Sequence, residues 1–452
     1  MSEAESDIRR HYVDHFAGFE ARLNGQSQTP VHALRRQAID RFAATGFPTG
    51  RDEDWRHTNF SPITRIQFQP WSQDQTGLLQ PADIAPYLVA GLAAHRLVFV
   101  NGQFDAALSD APGADGEVAA GSLRDAVALD SGLAEHLGRN SARGGFDALN
   151  TAFLDDGAFV HVAAGVRAQM PIQLLFVTAP TIGSGSAAGV PTVSFPRTLV
   201  MLEAGAEATV VETYAGGGDV PYLTDAATEV FLGARSRLEH CRIQRESAAA
   251  FHVSRSHFHE EGESRLDSHS VDLGTRLCRN DIVTRLLGAG VKSILNGLYV
   301  TAGDQHVDNH TLIDHAAPGC ESHELFKGVL GERSKAVFRG KIHVHQVAQK
   351  TDAYQSNQNL LLSDDADVTS KPQLEIYADD VKCSHGSTTG QLDDDAIFYL
   401  KARGIGDGAA RSLLTRAFAG EILDRIPVEA VVRQVRELVA DRLGALHQGA
   451  ST

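Results

Sequence analysis

From about residue 150 to residue 393 the chain repeats one small theme. A short β-rich run is followed by a corner of Gly, Asp or Asn and then by another run, with no helical pattern between them. Runs at 159–162, 172–177, 198–202, 209–213, 228–232 and 238–243 open the region. Corners at Gly205, Gly233 and Gly262 stand one interval apart, and those at Gly274, Gly288, Gly303 and Gly319 follow at roughly half that interval. Short strands recurring without helices point to a solenoid, in which each strand stacks on its counterpart one coil away. A parallel β-helix, with one strand per corner, fits better than a sandwich. On period alone a jelly roll or sandwich is still a rival.

The stretch 371–386 carries the sharpest chemistry. Leu374, Ile376 and Ala378 alternate with Glu375 and Tyr377, the period-two pattern of a strand. Asp379 and Asp380 mark a corner. Val381, Cys383 and His385 share one parity, so in an extended chain they point to one face. Side chains two residues apart on a strand start about 6–7 Å apart. A thiolate and an imidazole at that spacing can converge on one soft metal, and both ligate iron and zinc. A closed site needs about four ligands and this pair supplies two. Either another chain supplies the rest, or the site is open. A free cysteine beside a hydrogen-bonded histidine has the same pattern without any metal.

Histidine is abundant here. His257 and His259 share a face, as do His343 and His345, while His306, His310, His315 and His323 cluster between corners. No such pair completes a ligand set. We read them as polar stacking on an outer sheet face or as interface residues. The alternative is a His-rich metal-binding protein. The paired acids Asp155-Asp156, Asp364-Asp365 and Asp379-Asp380 open a further alternative, a β-helical carbohydrate-active enzyme working through carboxylates. They fall where corners are expected, so we read them as turn formers. An aromatic content of 7% also argues against a glycan groove.

A net charge of −16 argues against a nucleic-acid partner and against an anionic membrane surface. The first residues are acidic and polar, unlike a signal peptide, and no run approaches the roughly 18 apolar residues of a membrane span. The expected location is cytoplasmic. The four cysteines, Cys241, Cys278, Cys320 and Cys383, are spread out, which implies free thiols. There is no P-loop and no nucleophile elbow, and Gly404-Ile-Gly-Asp-Gly408 reads as one helix stopping and another starting. The chain is therefore not expected to hydrolyse ATP through a P-loop.

The flanks differ from the repeating region. Residues 4 to about 60 read as helical, with Ile8, Tyr12, Phe16 and Phe19 on one face and Leu34, Ala38 and Phe42 on a second helix that Thr29-Pro30 begins and Gly46 ends. Trp55 reads as a packing anchor between domains. Residues 71–149 are mixed, with a strand at 95–100, short helices at 123–129 and 133–137, and a Gly-rich stretch at 141–145. After residue 393 the pattern is helical again. Asp394 or Asp395 is expected to cap the first helix and Asp407 the second, whose apolar stripe would be Ala410, Leu413, Leu414, Ala417, Phe418, Ile422 and Leu423. Val431, Val435, Leu438 and Val439 line a third. The division is 1–70 helical, 71–149 mixed, 150–393 β-helix and 394–452 helical.

Lys371 to Gly390 closely resembles the signature of the SufB/SufD family, the scaffold subunits of the SUF iron–sulfur cluster assembly machine. Its Cys383-Ser384-His385-Gly386 resembles the SufD branch. Glu53-Asp-Trp-Arg-His-Thr58, Asn150-Thr-Ala-Phe-Leu-Asp-Asp-Gly157 and the segment from Arg403 to Glu421 resemble further family segments in the same order. The resemblance implies a non-enzymatic scaffold without catalytic residues, a right-handed parallel β-helix, pairing with a SufB-like paralogue, and docking of the SufC-like ATPase on residues 394–445. It also implies iron or a nascent Fe–S cluster at Cys383 and His385, at the paralogue interface, with nothing held tightly by the isolated chain. A homodimer is expected to be possible without the paralogue. SufB-like chains are expected to carry a cysteine in the stretch that here reads 354–360. This chain has none there, so it is not expected to assemble a cluster alone.

Overall fold

The computed structural model describes residues 3–23, 29–71, 79–112, 116–138, 145–179 and 189–449. Most of the Gly-rich stretch at 141–145 lies outside them. Successive strands alternate between two sheets. Among the described residues one sheet has twelve strands and the other ten, and along the solenoid each strand pairs in parallel with the strand two places on. Tyr222–Leu232, Phe251–Glu260, Leu277–Leu286, His306–His315 and Lys335–Val344 lie side by side in the first sheet. Arg237–Arg245, Arg265–Asp272, Lys292–Thr301, Glu321–Leu330 and Asp352–Leu361 do so in the second. This is the expected parallel β-helix, and the sandwich is excluded.

The corners explain why the glycine intervals halve. Gly205, Gly233, Gly262, Gly288 and Gly319 lie where the chain passes from the first sheet to the second, and Gly274 and Gly303 where it passes back. Later coils punctuate both passages, so the spacing drops. Except at the last coil, each passage to the second sheet contains one residue of positive φ: Gly165, Gly205, Arg235, Glu263, Gly290, Gly319 and Lys350. Arg235, Glu263 and Lys350 accept that strained conformation without glycine's freedom, so three corners of one row carry no left-handed glycine. Gly288 is required for closeness instead, since a Cβ there would lie 2.1 Å from the backbone nitrogen of Gly262.

Helices cover part of each outer face. The helices Glu3–Ala21 and Pro30–Thr45 bury Ile8, Tyr12, Phe16, Phe19, Ala38 and Phe42 in a cluster that includes Leu223, Phe251, Val253 and Leu277 of the first sheet. Thr29 caps the second helix and Gly46 ends it at φ 68°. Beyond Gly46 only single helical turns follow, at Glu53–Trp55 and Ser61–Thr64. The second sheet buries Val211, Cys241, Ile243, Val271, Leu298 and Val329 under Asp407–Leu423 and Glu429–Gly449.

Sequence patterning misplaced details of this C-terminal cover. Asp393, one residue earlier than expected, caps Asp394–Ala402, its side chain accepting from the Asp395 amide at 2.9 Å. Gly406 is the cap of the next helix, while Asp407, its first residue, pairs with Lys401 and Arg411. That helix buries Ala410, Thr415, Ala419, Ile422 and Leu423, whereas Leu413 is 46% exposed. Thr415 enters the buried face because its hydroxyl is satisfied by the Arg411 carbonyl one turn back.

The two ends of the solenoid differ. At the first coil, Gln103–Phe104 and Val118–Ser122 join antiparallel to their neighbours and close the stack. At the last coil, Asp367–Ser370, Gln373–Ile376 and Lys382–Gly390 end the two sheets in parallel register.

Candidate functional site

The strand Lys382–Gly390 is the last of the ten-stranded sheet, and its outer edge offers unpaired backbone donors and acceptors. Cys383 lies in register with Ala353 and His385 with Gln355. Cys383 packs on the interior apolar cluster and is half-buried, whereas His385 is exposed because no coil follows. Both share the parity of the lumen-facing side chains. Burial raises the Cys383 thiol above its ordinary value and Asp352 adds to the shift, so without a cation the group carries its proton. Gln355 donates to Glu324 at 2.6 Å, so the lumen beside His385 presents an amide and a carboxyl. No third Cys, His, Asp or Glu converges on Cys383 and His385 among the described residues. The chain thus offers an imidazole and a thiol at a bare edge, which is half of a ligand set.

Deeper in the solenoid the lumen is polar. Arg242 donates to Asp272 at 2.9 Å and to Asn280 at 2.7 Å, and lies 2.8 Å from the His252 ring nitrogen; His252 meets Glu246 at 2.7 Å. Glu212 accepts from Thr198 and Thr228 at 2.9 Å each and meets His240 at 3.1 Å. Burial opposes charge on Glu212, but His240 and the two hydroxyls hold its carboxyl below the usual range. Glu260 has only hydroxyl partners there, and burial pushes it up to about 8. Its native pKa exceeds the unfolded value of about 4.3, so its contribution to stability is complete below that value and is lost as pH rises through about 8. Glu260→Gln is expected to match the parent at about pH 4 and to exceed it at about pH 9 by roughly 2–4 kcal/mol, an order-of-magnitude figure. Chemical denaturation at both pH values checks this, and parallel stability curves would refute it.

The segment 53–58 is strapped across the outer face of the first sheet. Arg279, fully buried, donates to Asp308 at 2.6 Å, to Asp281 at 2.7 Å and to the Asp54 carbonyl at 2.8 Å, and its guanidinium lies 4.5 Å from the Trp55 ring. Thr58 donates to Asp308 at 2.5 Å, and Arg339 donates to Glu53 at 2.9 Å and Asp54 at 2.7 Å. Trp55 also stacks on Phe146 and meets Phe60 edge-on, so it anchors the N-terminal segment to the β-helix.

With that geometry in view, comparison with known proteins is decisive. A family model described as SUF system FeS cluster assembly, SufBD core domain, matches residues 183–418, and one described as SufBD protein N-terminal region matches residues 6–174. The chain belongs to the SufBD family. It is similar to an iron–sulfur cluster assembly SufBD family protein of Synechocystis, 34% identical over 94% of this chain and 93% of that one. The iron–sulfur cluster assembly protein SufD of Escherichia coli is 32% identical over 90% and 92% of the two chains, and a chloroplastic protein of Arabidopsis thaliana, ABCI7, is 30% identical over 91% and 86%. SufBD proteins are components of iron–sulfur cluster assembly. No helix of the described residues is long and apolar enough to cross a membrane.

On this SufBD framework the other candidates separate. All four cysteines are free. The histidines read together at 306–323 do not form one cluster. His306, His310 and His323 are on outward-facing positions of their strands, whereas His315 points inward to Ser322 at 2.8 Å, and burial pushes it down to about 4. His259 stacks on Phe231 on the outer face. The acid pairs sit at three separate corners. Asp156 accepts from Ser122 and from the Phe104 and Gly157 amides, Asp155 pairs with Arg124, Asp380 pairs with Lys350, and Asp364-Asp365 form an exposed turn. They build turns, as expected. His343 and His345 do converge, with Asp314 of the neighbouring strand. Sequence reading missed that carboxylate because only the register brings it near.

Proposed function

We propose that the chain is a non-catalytic scaffold subunit of the SUF machinery. It pairs through its open last coil with a SufB-like paralogue and binds a SufC-like ATPase through its C-terminal helices within 394–445. Iron or a nascent cluster, the cargo of the pair, is held at Cys383 and His385 together with ligands from the paralogue, and no cofactor stays on the isolated chain. The observation that carries this reading is the placement of a half ligand set on an unpaired edge strand. A site of two ligands at an edge is completed by whatever pairs with that edge.

The ATPase surface follows from what the C-terminal helices leave uncovered. Val431, Val435, Val439, Ile422 and Leu423 are spent on the second sheet, but Phe398 is 73% exposed, Tyr399 55% and Leu413 46%. Deleting residues 394–452 would strip the second sheet and confuse docking with folding. The test is native mass of the full chain co-expressed with SufB-like and SufC-like subunits, beside a Phe398→Glu, Leu413→Glu variant. We expect the parent to hold both partners and the variant to lose the ATPase while keeping the paralogue. Retention of the ATPase by the variant would overturn the docking surface, and a parent that stays alone would overturn the scaffold reading.

A further inference from the structure

We propose that Asp314, His343 and His345 form a surface binding site for a divalent first-row metal cation of the Fe²⁺ or Zn²⁺ class, separate from Cys383 and His385. His343 lies near the end of Lys335–Val344 and His345 directly follows, so the two rings project from the same outer face of the first sheet. Asp314 is in register with His343 on the adjacent strand, and the His345 amide donates to the His315 carbonyl at 3.0 Å, which fixes the backbone on both sides. One ligand atom from each residue lies within 4.8 Å of the other two. Asp314 Oδ1 is 2.9 Å from His343 Nδ1 and 2.8 Å from His345 Nε2. Metal–ligand bonds of about 2.0–2.2 Å place adjacent ligand atoms roughly 3–3.5 Å apart, so an opening of a few tenths of an ångström admits the ion.

Two imidazoles and one carboxylate on one side of a cation leave the remaining positions to water or substrate, a donor set that suits Fe²⁺ and Zn²⁺. The groups are reachable: the side chains of Asp314, His343 and His345 are 20%, 25% and 44% exposed. Glu375 stands in register beside His343 on the last strand and is paired with Lys341 at 2.7 Å, so a second carboxylate adjoins the site. The ring of Tyr377 meets His343 edge-on at 5.6 Å and limits its rotation. Arg285 is in register on the far side of Asp314, so the site is not an unopposed acidic patch and its affinity rests on the imidazoles. A hydrogen-bonded cluster with no affinity for metal is the competing account.

The proposal stands independently of the scaffold reading, because its test uses the isolated full-length chain. The chelator-treated protein is titrated anaerobically with Co²⁺, Zn²⁺ and Fe²⁺, following heat and, for Co²⁺, visible absorption. We expect a site that His343→Ala, His345→Ala abolishes or weakens by more than about 100-fold, and that Asp314→Asn weakens by about tenfold or more. Cys383→Ser, His385→Ala should retain it. Thermal unfolding verifies that each variant is folded. Unchanged binding in the double His variant, or no binding by the parent, would overturn the proposal.

Discussion

Arg279→Ala is expected to destabilise the fold by about 3–5 kcal/mol, the range for removing one partner of a buried ion pair. Arg279 is 1% exposed at the side chain and Asp308 likewise, so truncation leaves the Asp308 carboxylate in a dry setting. Among the described residues, Thr58 and His310 then remain as its partners. The same change removes the cation from the face of Trp55 and a hydrogen bond from the Asp54 carbonyl, so segment 53–58 loses its central tie to the β-helix. Urea unfolding with intrinsic fluorescence measures both effects. Burial favours a neutral Asp308, but Arg279 and His310 outweigh it and hold the carboxyl well below the usual range. That group's contribution is present above the unfolded value and lost as pH falls toward the native one, so the gap between parent and variant should narrow below about pH 4. A deficit under about 1 kcal/mol at neutral pH would mean that Asp308 finds water when Arg279 is gone. Arg279→Lys should fall between the two, since an ammonium keeps the charge but not the fork.

The second large effect is on function. His385→Ala is expected to leave the stability of the chain within about 0.5 kcal/mol, because the side chain is exposed at an edge. On the proposed complex with a SufB-like paralogue and a SufC-like ATPase it should lower the yield of assembled cluster at least about tenfold, the scale for disturbing a metal ligand sphere. Iron and acid-labile sulfide per complex measure the yield. Cys383→Ser should act in the same direction. His385→Cys, which replaces one ligand of the set with another, should recover part of the loss if the residue binds the cargo directly. Full yield from a folded His385→Ala complex would remove His385 from the site.

The repeating architecture was readable because the corners are glycine-marked and the strands alternate. The shared parity of Cys383 and His385 followed from a spacing of two and the run of the strand around them. Other features were out of reach for physical reasons. Arg242, His240 and Asp272 face inward, so polar residues alternate with Cys241, Ile243 and Val271 in the reverse of the usual sense. A lumen stocked with charge cannot be told from a solvated face by hydropathy. Cys241, Ile243 and Val271 point outward because helices far away in sequence cover that face. The C-terminal stripe was misjudged at Leu413 for the same reason, since propensity does not say which face meets the sheet. Asp314 joins His343 only through a register set by a whole coil.

One end of the stack is finished and the other is not. Two antiparallel pairings blunt the first coil, while the last coil stops with strands that could template another. A rod with a single sticky end has a valence of one. Any association through that end consumes it, so growth through the last coil halts at two. Under the proposed pairing, like and unlike chains are rivals for that one socket. The ratio in which the two kinds of chain are made would then set how much of each pair forms.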